Sequence, residues 1–82
     1  MSEPSGDVRV LIEQIAKALV DAPDQVAVHQ IDGDPTVFEL SVAPGDVGKV
    51  IGRQGRVVRA LRALVSATGV RARKRFALEI LE

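Results

Sequence analysis

The sequence predicts an α+β domain of order α-β-β-α-α-β, a three-stranded mixed sheet with helices packed on one face. Three observations carry this. Val8, Leu11, Ile12, Ile15, Ala16 and Leu19 recur at helical spacing. Two β-branched stretches flank the breaker-rich turn Asp32-Gly33-Asp34-Pro35. Finally, Gly52 and Gly55 interrupt an apolar pattern of helical period that ends in one more alternating stretch.

Residues 1–7, acidic and rich in breakers, read as a disordered leader. The first helix follows from Val8, with Asp7 as its N-cap and Pro23 stopping it near Asp21. Gln25 to Ile31 reads as a strand with Val26 and Val28 on one face. Ile31 falls out of phase, marking a bulge or the strand's end. After the turn, Phe38, Leu40 and Val42 alternate along the returning strand. Pro44-Gly45 breaks it, and Asp46 is placed to cap a short helix from Val47 to about Ile51. A longer helix runs from Arg56 to Thr68, ended by Gly69. Val57, Val58, Leu61, Leu64 and Val65 share its apolar side, and Arg56, Arg59 and Arg62 the opposite one. The last strand spans roughly Lys74 to Leu81 and buries residues among Phe76, Leu78 and Ile80. A strand, two helices and a strand in one sheet make those strands parallel.

Eighty-two residues build one domain with a single modest core. With Phe38 and Phe76 the only aromatics, that core is expected to be aliphatic. The chain has no cysteine, which excludes disulfides, thiolate nucleophiles and cysteine-based metal sites. No apolar run approaches the ~20 residues that span a bilayer, and the amino end does not suit a secretory signal. A cytoplasmic protein without membrane attachment is expected.

The formal net charge of +0 conceals a division. Residues 1–46 carry nine acids and two bases, residues 47–82 nine bases and two acids. From Val47 to Leu78 no acid occurs. Read alone, the arginines are a solvated face; beside a glycine loop they form a local positive field that an anionic partner would feel.

The loop is the sharpest feature. Val50-Ile51-Gly52-Arg53-Gln54-Gly55-Arg56-Val57-Val58 joins two helical segments through glycines three apart. Glycine permits a sharp turn and lets backbone N–H groups approach an outside group. The helix that follows would point its amino end, partially positive, at the same place. A phosphate fits. Neither a Walker loop nor a dinucleotide fingerprint does, since the first would need Gly at 43 and Ser or Thr at 50, the second Gly at 50. The chain has Ala43 and Val50. A ligand-free helix-helix turn remains the bland alternative, although a mere turn has no need of arginine at its tip.

No catalytic or metal-binding constellation is visible, so no enzyme and no cofactor is expected. His29 is the single histidine, without a convergent partner. Asp32 and Asp34 begin like a calcium loop, but Pro35 and the missing downstream ligands leave them as turn formers.

Val-Ile-Gly-Arg-Gln-Gly-Arg-Val-Val resembles the signature of KH domains, whose Gly-x-x-Gly loop clamps about four single-stranded nucleotides. With Val42-Ala43-Pro44-Gly45-Asp46-Val47-Gly48-Lys49 before it, the chain is similar to small bacterial KH proteins of the KhpA type. The likeness covers residues 8–82. It implies the type II KH arrangement, with an extension at 8–34 ahead of a core at 35–82. It also implies single-stranded RNA as ligand. Gly52 and Gly55 would admit phosphates, Arg53 and Lys49 neutralise them, and Gln54 offer a hydrogen bond. Ile51 would floor the base groove, with Arg56 and Arg59 as flanking charge and Val47 and Val50 as further aliphatic surface. A post-transcriptional regulator or RNA chaperone follows from the likeness. So do a homodimer or a pairing with a KhpB (Jag/EloR)-type KH protein, and links to cell elongation and wall synthesis. A protein-interaction module with little RNA binding of its own is the rival, and DNA in the same groove a third reading.

Overall fold

The computed structural model describes residues 4–82. Helix α1 spans Pro4–Leu19, strands β1 and β2 span Ala27–Ile31 and Thr36–Ser41, and helix α2 spans Val47–Ile51. Helix α3 covers Arg56–Arg71 and strand β3 covers Phe76–Ile80. Single 3-10 turns precede β1, α2 and α3. The predicted element order holds.

β1 and β2 form an antiparallel hairpin in which Ala27 faces Ser41 and Ile31 faces Val37. β2 and β3 run parallel, Thr36 beside Phe76 and Leu40 beside Ile80. The sheet order is β1-β2-β3. Thr36, Phe38 and Leu40 alternate as buried residues of the central strand, matched by Val28 on β1 and by Phe76 and Leu78 on β3. This period of two turns one face of the sheet toward the helices. Val8, Ile12 and Ala16 of α1 and Leu61 and Val65 of α3 cover it, and Val50 of α2 closes the core.

The core is not purely aliphatic. Phe38 and Phe76 meet edge to face at its centre, ring centroids 5.4 Å apart, because neighbouring strands bring both aromatics to the covered face.

Several boundaries shift. α1 begins at Pro4, so Asp7 stands in its first turn rather than at its cap. Proline's fixed φ suits a first helical position. The part of the expected leader at residues 1–3 lies outside the described residues. Ile31 closes β1 without a bulge, about half exposed. Leu11, Leu19 and Leu64, expected on apolar faces turned to the core, are exposed at 46%, 39% and 52%. The apolar stripes of α1 and α3 are wider than one small sheet can cover.

Gly69 does not end α3. The helix continues to Arg71, and Gly69 is buried within it. A Cβ there would lie 2.7 Å from the Lys74 carbonyl oxygen, so glycine serves close approach of α3 to the chain entering β3. The left-handed residue after the helix is Arg73, at φ 58°.

Candidate nucleic-acid interface

The loop between α2 and α3 is built by backbone conformation. Gly52 stands at φ 78°, ψ 171°, and its N–H closes α2 by donating to the Gly48 carbonyl at 2.8 Å. A Cβ at Gly52 would fall 2.4 Å from Cγ2 of Val57, so only glycine lets α3 fold back this closely. Gln54 and Gly55 follow in the left-handed region, at φ 57° and 74°. The N–H of Gly55 reaches the Gly52 carbonyl, and that of Arg56 the Arg53 carbonyl.

Arg53 and Gln54 form the tip of this turn, between the two glycines. α3 opens at Gly55 with no side-chain cap and no acid in its first turn. The partially positive end of a helix therefore stands at this tip. Arg53, Gln54, Arg56 and Arg59 are exposed around it, with Arg56 Nη2 at 3.4 Å from Oε1 of Gln54. Arg62 is exposed but turns toward the sheet, its Nε donating to the Leu78 carbonyl at 3.3 Å.

Lys49 lies at the rim in a different state. Its Nζ pairs with Asp46 at 3.2 Å and Asp21 at 3.3 Å. The hydrogen bonds to Asp46 and Asp21 hold its ammonium above the usual lysine value. Asp46 does not cap α2 through its side chain. Its buried carboxylate instead accepts the N–H groups of Asp21 and Ala22, at 3.2 and 3.0 Å. It thus ties the end of α1 to the start of α2. Burial alone would raise this carboxyl, but the two N–H donors and Lys49 outweigh it and leave its pKa lowered. The spacing of Asp46 and Lys49, three apart across the first turn of a helix, was the available sequence signal for this pairing.

Of the aliphatic surface expected to hold bases, Val50 is fully buried in the core and unavailable. Val47 and Ile51 keep partial exposure. Sequence reasoning placed Val57 on the apolar side of α3 but missed that its side chain makes Gly52 obligatory.

A shallow apolar depression of about 380 Å³ adjoins the loop, walled by Ile15, Leu19, Val57, Ala60 and Leu64, with Arg56 at its edge. Among the described residues no group of acids and histidine could hold a metal ion, and no helix is long and apolar enough to cross a membrane.

A three-stranded mixed sheet with a glycine-loop helix pair inserted between parallel strands defines a KH-type nucleic-acid-binding fold. The family model described as "KhpA/KhpB, KH domain" matches residues 9–80, and the chain belongs to that family. The chain is 47% identical over 75 residues to an RNA-binding protein KhpA of Clostridium acetobutylicum, covering 90% of this chain and 100% of that one. Its identity to the RNA-binding protein KhpA of Aquifex aeolicus is 52% over 73 residues, 88% of this chain and 92% of the relative. With that of Caldanaerobacter subterraneus subsp. tengcongensis it is 51% over 72 residues, 87% and 96%. No solved structure matches the chain.

Proposed function

We propose that this chain binds single-stranded RNA through its glycine loop and acts as a small post-transcriptional regulator or RNA chaperone in the cytoplasm. One observation carries the reading. The glycine turn presents the amino end of α3, without a side-chain cap and without an acid in its first turn, ringed by the exposed Arg53, Arg56 and Arg59. The names of the relatives, RNA-binding proteins all, support it.

In this reading Gly52 and Gly55 bring the backbone against a phosphate, and the Arg53 and Gln54 amides donate to it. Arg53 neutralises its charge, Gln54 adds a side-chain hydrogen bond, and Arg56 and Arg59 hold the neighbouring phosphates. Bases rest on Ile51 and Val47. Lys49, already paired, adds less than a free lysine would, because a phosphate must compete with Asp46 and Asp21 for it. A contact to the 2′-hydroxyl is what would separate RNA from single-stranded DNA in the same groove.

Replacing Arg53 and Gln54 together by Asp tests this. Aspartate tolerates the left-handed backbone at position 54, and exposed changes usually cost less than ~0.5 kcal/mol. The fold should therefore survive, by circular dichroism and thermal melting, while RNA binding is lost. For the wild type, three or four neutralised phosphates give a log–log salt slope of roughly −2 to −3. Wild-type affinity in the double variant, or a flat salt response, overturns the reading.

We extend the reading to a second KH module. One module holds only about four nucleotides, and pairing two raises avidity by ~10²–10⁴. Family likeness points to a second copy or a KhpB-type partner, and to cell elongation and wall synthesis as the processes served. The apolar depression beside Arg56 favours this pairing, and it equally favours the rival reading of an interaction module with little RNA binding. An RNA titration of the purified chain separates the two.

A further inference from the structure

The far end of α3 carries a second concentration of positive charge that the glycine loop does not use. Arg71 ends the helix, and Arg73, Lys74 and Arg75 lead into β3. At a rise of ~1.5 Å per residue, α3 sets this corner roughly 22 Å from the loop.

The corner is held in shape. Arg73 sits at φ 58°, a conformation disfavoured for any residue with a Cβ. Its N–H donates to the Val70 carbonyl at 3.1 Å, and that of Lys74 to the Gly69 carbonyl at 2.8 Å. The backbone is thus fastened to α3 while both side chains are exposed. They face the β1–β2 turn across an open depression of about 690 Å³, with Asp34, Thr36 and Val70 among its other walls.

Of the two acids that line this depression, Asp34 pairs with Arg75, whose Nε donates to it at 2.7 Å, while Asp32 accepts from the neutral amide of Gln30 at 2.8 Å and keeps its charge, one acid against three cations. Among the described residues, no ion pair reaches Arg71, Arg73 or Lys74. Arg75 is neutralised; its three cationic neighbours are not. Unpaired cations with a fixed backbone on a concave surface attract an anion of low structural demand, which describes a phosphodiester chain.

We propose that Arg71, Arg73 and Lys74 form a second, sequence-independent contact for the backbone of the same single strand, downstream of the glycine loop. The proposal rests on the RNA reading above. A strand that fills the loop with about four nucleotides needs only a few more to reach this corner. The chain then binds a longer footprint than one loop provides.

The test uses the purified chain with oligouridylates of four and twelve nucleotides, read by amide NMR shifts and by salt titration. Arg73→Gly combined with Lys74→Gln removes both charges, and glycine accepts φ 58° without strain, so the fold is retained. The wild type should show shifts at Gly52 and Gly55 with both lengths, and at Arg73 and Lys74 only with the longer. The variant should bind the tetramer unchanged, lose the added affinity of the dodecamer, and shrink its log–log salt slope by about 1.4, the value for two single-strand phosphates. If the dodecamer keeps its advantage in the variant, the corner is not a contact and the proposal falls while the RNA reading stands. If neither length binds the wild type, both fall.

Discussion

Asp46 shows how one carboxylate does more than its position in the sequence announces. It precedes a short helix, where an aspartate ordinarily caps through its side chain. Here it is buried, accepts two N–H groups from the chain leaving α1, and pairs with Lys49. Burial pushes its pKa up, but the donors from Asp21 and Ala22, with Lys49, push harder the other way, and the net shift is downward. A carboxyl lowered by folding stabilises the fold fully above its unfolded value of ~3.9, and that contribution is lost as pH falls through the folded value. Asp46→Asn should therefore lower the melting temperature at neutral pH, with the gap to wild type closing below about pH 4. Melting curves across pH check this, and a gap that stays constant into acid would show that charge is not what Asp46 contributes. Loosening this tie should also free Lys49.

At the scale of elements, α3 joins the two ends of the molecule. Its uncapped amino end forms the loop, its Leu61 and Val65 enter the core, and its last turn lies against the start of β3. Gly69 is what allows that last contact. Helix propensity alone would make Gly69→Ala stabilising by about 0.8–1 kcal/mol. The structure reverses the sign, since the new methyl would lie 2.7 Å from the Lys74 carbonyl oxygen and 3.1 Å from the Phe76 nitrogen. Backbone must move to admit it, and overpacking of this kind costs about 1–3 kcal/mol. Urea unfolding should show Gly69→Ala less stable than wild type. A more stable variant would mean that the turn at Arg73 yields freely.

Over the whole molecule, charge and apolar surface are segregated. The acids of α1 are partly self-contained, with Glu13 between Arg9 and Lys17 at 3.2 and 3.0 Å. Those cations hold Glu13 below the usual carboxylate range, its hydrogen bond from Lys17 first. The bases of α3 have few such partners, so its surface stays positive. Beside it Leu11, Leu19 and Leu64 are exposed, an apolar strip of the kind that marks a contact with another protein. The pairing proposed above predicts that Leu64→Glu, alone or with Leu11→Glu, leaves the monomer folded and abolishes association with a second copy or a KhpB-type partner. Light scattering over a concentration series measures it. Unchanged mass in the variant would place the contact elsewhere. Because the depression reaches Arg56, RNA and this contact are expected to influence each other.

The element order, the hairpin, α2 and the glycine loop were legible in the sequence, because each rests on local rules. Periods of two and of about 3.6, breakers at turns, and glycines three apart act over a few residues. The same local rules misplaced Gly69, which looks like a helix end by composition and is a packing site because of Phe76 and Lys74, several residues on. They also assigned Leu11, Leu19 and Leu64 to the core, since periodicity marks an apolar face but not how much of it the sheet can cover. Likewise, only the fold decides that Val50 is buried away from the groove, that Lys49 is paired to Asp21, and that Arg73 stands unpaired. Those outcomes depend on contacts between residues distant in sequence, and on the limited area of a three-stranded sheet.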